Sequence, residues 1–582
     1  MTSPLFVPPT GHGPDADRDG AERDGAERDG TERDGTERGS VDRRARAANG
    51  RIDPVTVLSV FVAILMLLPS RYVVGPLGGA GTPAGLMAVA CLLWYLSALI
   101  TPNTTPVRGR QPLRTVVMFF VVSVLASYAV MHVEPRAALE VNAADRGLIL
   151  TAGWAGLALL AADGIPRLER LEVLRHRLVT GGSVVATLGL LQFFTGIDIA
   201  GYLAVPGLTA NADFSSVLRR DEFNRPMATA THPIELGVVL TMLLPLAVHG
   251  LLHARPGTVW RHRLQVFLLL ATIPMTVSRS AILGMVVAAV VMVPVWPGKV
   301  RVVALMVLGC GTVAMQAVVP GLMGTIRNLV TSIGNDSSTT ARTDDYGAVL
   351  ASVTHQPWFG RGLGTYLPQT YRILDNQYLG TAIETGLVGV AALLTLFAAG
   401  WLLARGARRA STNPEVRHLA QCFAATVAVA AFSFGTFDAM SFPMVTNLTF
   451  LVLGCCAALW RLAREDPAAG LSATAAPGIE PRLTETPGSL PTTPVRPRIA
   501  SSAEGQYWPK TEPENEPHTE PHTEPHTGLR TGSHTGPHTG PAGVPEGELQ
   551  RTRRAARRGP RRSAQRTTRG PAKQREGRHR KA

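Results

Sequence analysis

The sequence predicts an all-α, polytopic integral membrane protein with about twelve transmembrane helices and one large, partly helical extracytoplasmic loop. Three observations predict this fold. Large apolar side chains concentrate between residues 54 and 460 of a 582-residue chain, in runs close to the length that spans a bilayer as a helix. Basic residues recur in alternate connections between these runs. A single long polar interval, 319–382, interrupts the series.

Residues 1–50 precede the first apolar run and carry a five-residue repeat, Arg-Asp-Gly-Ala/Thr-Glu, between Arg18 and Arg38. Alternating charges with a glycine in each unit cannot bury an apolar core, so this arm is predicted to be disordered. The arm does not read as a secretory signal, because the first apolar run begins some fifty residues in.

The predicted transmembrane domain covers residues 51–464. We expect a helix wherever an apolar run approaches the roughly 20 residues that cross a hydrocarbon layer of about 30 Å. The runs lie near 54–70, 84–100, 113–132, 146–162, 178–196, 233–251, 265–278, 280–296, 300–319, 383–404, 418–437 and 442–460.

The distribution of basic residues predicts the orientation of the domain. Short cytoplasmic loops are enriched in Lys and Arg, and here the even-numbered connections carry them. Both termini are therefore predicted to be cytoplasmic in a multi-pass protein of the plasma membrane, with the loops after the fifth and ninth helices facing outward. The basic residues are Arg108, Arg110, Arg114, Arg167, Arg170, Arg175, Arg177, Arg255, Arg261, Arg263, Lys299, Arg301, Arg405, Arg408, Arg409 and Arg417.

Residues 465–582 form a predicted disordered cytoplasmic tail, first rich in Pro, Thr and His and then in Arg. Residues 551–582 contain 14 Lys or Arg and one Glu, so this segment alone carries +13 of the net charge of +14. The basic pI therefore does not indicate a nucleic-acid-binding fold. We expect the tail to be solvated or attracted to anionic lipid. Its regularly spaced histidines are a weaker candidate for metal binding: His518, His522, His526, His534 and His538.

The five cysteines lie in apolar segments without metal-ligand spacing, and we expect small buried residues rather than disulfides. Polar residues interrupt the apolar series at three places on the predicted outer side: the segment Arg225 to Glu235, Arg279, and the long loop with Asp375 followed by Glu384. Ionisable groups at membrane depth usually face a cavity or a partner. Arginine binds phosphate through its planar fork, and a nearby carboxylate can accept a proton from a hydroxyl group.

Each of these residues also has a structural explanation. Arg225 fits an interfacial anchor, and His232 fits an ordinary helix-start residue before Pro233. Asp375 fits a turn, and Glu384 fits a first-turn acid that complements a helix dipole. The spacing of the residues does not exclude either set of explanations.

Taken together, three segments resemble the O-antigen ligase and polymerase family, whose members have about twelve helices and one large outward loop. The resemblance covers the membrane core from about residue 190 to residue 400. Its segments are Arg225 to Gly237 with Pro233 opening a helix, Met275 to Gly284, and Pro357 to Tyr366 followed by Asp375 to Leu379 and Glu384 to Gly389.

The resemblance implies transfer of a glycan from a polyprenyl-pyrophosphate carrier to an acceptor hydroxyl outside the membrane, without nucleotide sugar, cofactor or metal. Arg225 and Arg279 would bind the pyrophosphate and stabilise its charge as it leaves. Arg342 and His232 are further candidate substrate-binding residues. The implied partners are the carrier-linked donor, a glycan or other hydroxyl acceptor, membrane lipids and, as candidates, polysaccharide-assembly proteins; nucleic acid is not among them.

The identity of the general base is open. The ligases of this family carry a histidine where Asp375 stands, and an aspartate is a weaker base than a histidine at neutral pH. Either Asp375 replaces the histidine, or Glu384 or His355 is the base, or the chemistry differs. This departure favours a polymerase, or a ligase with another acceptor, over a lipopolysaccharide ligase. The alternative function is a polysaccharide-precursor flippase or a small-solute transporter, although the inverted repeats typical of carriers are not evident.

Overall fold

The structure is a computed structural model, and it describes residues 53–101, 109–203, 205–211, 218–220, 222–331, 346–347 and 349–469. The N-terminal repeat, the C-terminal tail and Arg342 lie outside the described residues. The predicted disorder of the two ends, the domain boundaries and the role of Arg342 therefore stay predictions.

The described residues form a bundle of α-helices. The helices are α1 Pro54–Leu67, α2 Pro83–Ile100, α3 Pro112–Met131, α4 Ala138–Gly164, α5 Leu168–Thr195, α6 Pro233–Leu252, α7 Val259–Met275, α8 Arg279–Met292, α9 Gly298–Val318, α10 Leu322–Thr331, α11 Gln377–Glu384, α12 Gly386–Ala410, α13 Pro414–Phe434 and α14 Pro443–Glu465.

In the described part of the chain, nine helices are long and apolar enough to cross a membrane: α2 to α6, α9 and α12 to α14. The chain is therefore an all-α, multi-pass membrane protein, as the sequence predicts. Helices α1 and α8 are apolar but shorter, and α7 has 17 residues. Each of the twelve predicted apolar runs coincides with a helix, while the number that cross the membrane stays a prediction.

Helix α5 is longer than the sequence predicted. It begins at Leu168, ten residues before the expected start, so the basic residues Arg170 and Arg175 belong to a helix and not to a connection. The expected connection was wrong because Leu171, Leu174 and Leu178 recur at helical spacing and are all fully buried. At 28 residues, α5 has a length of about 42 Å, so one end projects beyond a hydrocarbon layer of about 30 Å.

Two short antiparallel ladders lie in connections and leave the all-α class unchanged. The strand β1 Tyr72–Val73 pairs with β2 Thr209–Ala210, and β3 Arg219–Arg220 pairs with β4 Phe223–Asn224.

Helix α9 presents apolar side chains on all of its faces, and none of its residues is buried within the chain. A helix that is apolar all round is stable only where its surroundings are also apolar. We therefore expect α9 to lie against lipid.

Helices α7 and α8 both pack against α6. The Thr241 hydroxyl of α6 lies 3.4 Å from the carbonyl of Ala281 in α8, and the chain turns from α7 to α8 at residues 276–278. This turn and the segments 222–232, 357–376 and 435–442 meet at one end of the bundle, which we call the site end. The other end, where α6 finishes and α13 begins, is called the opposite end.

The long interval 319–382 is partly helical in its described residues, which include α10, the helical segment 349–355 and α11. Val349 packs with Leu374 and Ile383 in a small apolar cluster. The next residue, Leu350, is exposed.

Candidate functional site

The segment that leads into α6 forms a tight turn fixed by Gln192. The Oε1 atom of Gln192 accepts hydrogen bonds from the backbone N–H groups of Met227 and Ala228, both at 2.8 Å. Ala228 has a φ of 48°, a left-handed conformation that is uncommon for a residue other than glycine. The same turn lets Arg225 Nε donate to the carbonyl of Thr276 at 3.1 Å. Gln192 thus fixes the turn from which Arg225 reaches the α7–α8 turn.

The α7–α8 turn has the second strained position. Val277 has a φ of 49°, which is an outlier for a β-branched residue, and strain of this kind costs about 1–3 kcal/mol. The Val277 side chain is fully buried in an apolar cluster with Phe193 and Leu322, which stabilises the turn. Arg279 opens α8, three residues after the carbonyl that Arg225 contacts, so at most about 11 Å of chain separates Thr276 from Arg279.

His232 caps the N-terminus of α6 and is electrically neutral near pH 7. Its Nδ1 atom accepts a hydrogen bond from the Ile234 N–H at 3.2 Å, which leaves the proton on Nε2. Burial and the nearby Arg225 guanidinium lower the pKa of His232 to about 4. At physiological pH this side chain can donate a hydrogen bond through Nε2, but it cannot serve as a base through that atom.

Glu235 joins the start of α6 to the start of α14. Its side chain is fully buried and accepts hydrogen bonds from Thr231 N and Oγ1, both at 2.7 Å, and from Met444 N at 2.6 Å. The turn between α13 and α14 therefore lies beside the His232 segment. The ring centroids of His232 and Phe442 are 6.0 Å apart.

The same α13–α14 turn contacts the first residue of α11. Gln377 N donates to the Phe437 carbonyl at 3.2 Å, and Met440 N donates to Gln377 Oε1 at 2.8 Å. Asp375 is two residues before Gln377, and Asp438 directly follows Phe437. These contacts bring the two carboxylates close enough to interact electrostatically.

Burial raises the pKa of two carboxyl groups toward neutral pH. Burial, with a contribution from the Asp375 charge, raises the pKa of Asp438 to about 6, although the Ser441 hydroxyl opposes the shift. Burial and the charge of Asp438 raise the pKa of Glu384 to about 7. Asp375, Asp438 and Glu384 thus form one electrostatic cluster at the site end. The sequence had not singled out Asp438; the only available signal was an acid in a short turn between two apolar runs.

Glu384 is also the anchor of the glycine-rich turn that precedes α11. Its carbonyl accepts hydrogen bonds from Gly362 N at 2.8 Å and Ser127 Oγ at 2.7 Å, and its Oε1 accepts one from Tyr366 N at 3.2 Å. The turn needs glycine, because Gly360 and Gly362 have φ values of 63° and 106°. The contacts of Glu384 therefore support a positioning role.

Replacing Gly360 by alanine is expected to disrupt this turn. A Cβ atom at position 360 would lie 2.5 Å from the carbonyl carbon of Glu384, and the positive φ would add strain of about 1–3 kcal/mol. We expect a lower unfolding temperature and reduced activity, measured on protein in nanodiscs. Gly309→Ala is the matched control, since nothing lies within 4 Å of its Cβ position. Equal stability of the two variants would contradict the close approach at Gly360.

A polar cleft of about 280 Å³ lies beside Ile383. Arg361 lines this cleft and donates a hydrogen bond to Glu140 Oε1 at 2.9 Å. The Cζ atom of Arg361 lies 4.3 Å from the centroid of the Tyr371 ring. The exposed His355, a candidate base, also lines the cleft. The full lining is Glu134, Arg136, Ser352, His355, Gln356, Arg361 and Ile383.

The structure brings the predicted residues together in two groups at the site end. Arg225, His232 and Arg279 lie around the α6 and α8 N-termini, and Asp375 and Glu384 lie around α11, with the α13–α14 turn in contact with both groups. A larger cavity of about 590 Å³ is at the opposite end and contains none of the predicted site residues.

Residues 264–394 match the family model for O-antigen ligase. This segment is similar to O-antigen ligase. The match supports the resemblance to the O-antigen ligase and polymerase family, and it indicates glycan transfer of the ligase or polymerase type in a membrane. The match runs from α7 into α12 and includes Arg279, Asp375 and Glu384, whereas Arg225 and His232 precede it. No curated protein matches the chain.

Proposed function

We propose that the protein transfers a glycan from a polyprenyl-pyrophosphate carrier to an acceptor hydroxyl, at the extracytoplasmic face of the plasma membrane. The observation that supports this most is the link between Arg225 and the α7–α8 turn. Two arginines distant from each other in sequence are thereby held at adjacent strained turns, beside the N-termini of two helices.

The donor pyrophosphate would bind to Arg225 and Arg279. One guanidinium group can bind two phosphate oxygens at once. The positive ends of the α6 and α8 helix dipoles favour an anion at the same place. The Nε2–H group of neutral His232 would add one hydrogen bond without adding charge. These groups stabilise the pyrophosphate most when the glycosidic bond breaks and its charge increases.

The acceptor would lose its proton to the carboxylate pair of Asp375 and Asp438. In the reaction, the acceptor oxygen gives its proton to the carboxylate and forms a bond to the anomeric carbon. The bond from that carbon to the phosphate oxygen breaks, and polyprenyl pyrophosphate leaves with the electron pair. A carboxyl group with a pKa of about 6, as at Asp438, suits a general base near neutral pH.

The cleft beside Ile383 would bind the acceptor. Its lining supplies donors and acceptors for a hydroxyl-rich ligand, such as Arg136, Gln356 and Arg361. Tyr366 and Tyr371 stack with centroids 5.0 Å apart, and Tyr371 contacts Glu140 behind Arg361. The cleft lies beside α11, which also carries Glu384 at its end.

Glu384→Gln is expected to separate a positioning role from a catalytic role. The amide oxygen can still accept from Tyr366 N, so the turn should fold and turnover should stay within about tenfold of the wild type. The raised pKa of Glu384 also predicts a stability effect. Wild-type stability should fall as the pH rises from about 4.5 to about 7, because only the folded state keeps the proton in that range.

The variant should show a smaller fall in stability as the pH rises, because only the contribution of Asp438, with a pKa of about 6, remains. Thermal unfolding of both proteins between pH 4.5 and pH 8 measures the difference. A loss of turnover near the size expected for a general base, with unchanged stability, would instead assign catalysis to Glu384.

The proposed function is tested in sealed proteoliposomes loaded on one side with a polyprenyl-pyrophosphate glycan pool. Acceptor-dependent release of free polyprenyl pyrophosphate supports transfer, and the length of the glycan product separates a ligase from a polymerase. Movement of the intact carrier-linked glycan across the bilayer, without release of free carrier, would overturn the transferase and support the flippase.

A further inference from the structure

Three histidines meet at the opposite end of the bundle, away from the candidate site. His249 lies in the last turn of α6, His253 is the C-cap of that helix, and His418 lies in the first turns of α13. One ligand atom from each histidine lies within 4.8 Å of the other two. His249 follows His232 by 17 residues of α6, which is about 25 Å along the helix axis.

The hydrogen bonds fix the protons on the three rings. His253 Nδ1 lies 3.1 Å from the His249 carbonyl, which can only accept, so the proton is on Nδ1 and Nε2 has a free lone pair. A bond from the distal ring N–H to a backbone carbonyl is the arrangement that orients metal-ligating histidines. Trp296 Nε1 donates to His418 Nε2 at 3.3 Å, so the proton of His418 is on Nδ1.

That His418 Nδ1 proton points to His249 Nδ1, 2.9 Å away. His249 therefore also presents an unprotonated nitrogen to the centre of the cluster. Ligand nitrogens of a tetrahedral zinc site are about 3.3 Å apart for Zn–N bonds of about 2.0–2.1 Å. The distance of 2.9 Å between His418 Nδ1 and His249 Nδ1 therefore needs to increase only slightly. Two of the three rings are thus already in the tautomer that a metal requires.

Groups of both charge signs lie near this position: Glu415 favours a cation, and Arg408 near His418 opposes one. The Cys422 sulfur lies 3.7 Å from His418 Nδ1, beside the cluster. Arg175 is close enough to repel a cation, and its ion pair with Glu172 weakens that repulsion. The Glu415 carboxylate interacts electrostatically with His253.

We propose that His249, His253 and His418 form a binding site for a divalent transition metal ion of the zinc class, which ties the end of α6 to the start of α13. Imidazole ligands suit this class, whereas magnesium and calcium prefer oxygen ligands. Binding through His418 Nδ1 moves the ring proton from Nδ1 to Nε2. The tautomer change breaks the bond from Trp296, so metal binding changes the environment of that indole.

The test uses the untagged full-length protein in nanodiscs, stripped of metal, with the six histidines of residues 465–582 replaced by glutamine so that the tail does not compete. Zn²⁺ is titrated and tryptophan fluorescence is followed, and Co²⁺ is used to record visible d–d bands. His253→Gln and His418→Gln are compared with His176→Gln, which removes a neighbouring histidine outside the cluster.

We expect one Zn²⁺ per chain, at least about tenfold weaker binding in His253→Gln and His418→Gln, and no change in His176→Gln. Trp296→Phe should remove the fluorescence response while Co²⁺ still binds. Unchanged Zn²⁺ affinity in both cluster variants, or no difference between them and His176→Gln, would overturn the site. Because His253 is at a helix end, its replacement tests the site without opening the core. Neither result bears on glycan transfer at the site end.

Discussion

Replacing Arg279 by lysine is expected to lower acceptor-dependent release of polyprenyl pyrophosphate by about 10²–10³-fold. Lysine keeps the positive charge, but it loses the planar fork that binds two phosphate oxygens at once. The loss should appear mainly in kcat, because the charge on the leaving pyrophosphate is greatest in the transition state. Steady-state release measured over a range of donor concentrations gives kcat and KM separately.

The matched control for this prediction is Arg263→Lys, which changes an exposed arginine of α7 outside the candidate site. It should leave release unchanged. Wild-type turnover in Arg279→Lys would show that Arg279 does not contact the pyrophosphate, while a rise in KM alone would limit its role to ground-state binding.

Replacing Asp438 by asparagine is expected to lower turnover by about 10²–10⁴-fold, the contribution typical of a general base. The base must be ionised to accept the acceptor proton, so wild-type kcat should rise with pH through about 6 and then level off. Asp375→Asn should also lower turnover, because the two carboxylates act as a pair. The measurement is kcat between pH 4.5 and pH 8.5 for the three proteins.

The pH dependence of the activity that remains in each variant distinguishes the role of Asp375 from that of Asp438. Because the Asp375 charge contributes to the raised pKa of Asp438, its removal should move the residual profile of Asp375→Asn to lower pH. Asp466→Asn, an exposed acid at the opposite end, is the control and should behave like the wild type. If Asp375→Asn and Asp438→Asn both turn over normally, the base is another group, such as Glu384 or His355.

The membrane helices could be predicted from the sequence because their signal is local. A run of apolar residues of bilayer length has few alternatives to a helix, and all twelve runs are helical in the structure. The starts of α4 and α5 were missed because their first turns are polar and project beyond the apolar runs. For α5, the helical conformation of the first turns follows from buried leucines such as Leu171 and Leu174, which a search for long apolar runs does not detect.

The candidate site was only partly predictable. Arg225, Arg279 and Asp375 were found because charges between apolar runs are conspicuous, and because their segments resemble a known family. Asp438 was not found, since its meaning depends on the contact between Gln377 and Phe437, which are 60 residues apart.

Two other features could not be predicted, because they too depend on contacts between residues that are distant in sequence. Gln192 and Glu235 act on backbone groups of distant segments, and no sequence pattern marks such contacts. The spacing of His249 and His253 is visible in the sequence, but their third partner, His418, comes 165 residues later.

The most direct test of a single donor site is a double-mutant cycle on Arg225 and Arg279, with acceptor-dependent release of polyprenyl pyrophosphate as the readout. If both guanidinium groups bind one pyrophosphate, Arg225→Lys and Arg279→Lys should be strongly coupled, and the double variant should lose much less than the product of the two single losses. Losses that multiply without coupling would show that the two arginines act independently, and would contradict the proposed pyrophosphate site at the site end.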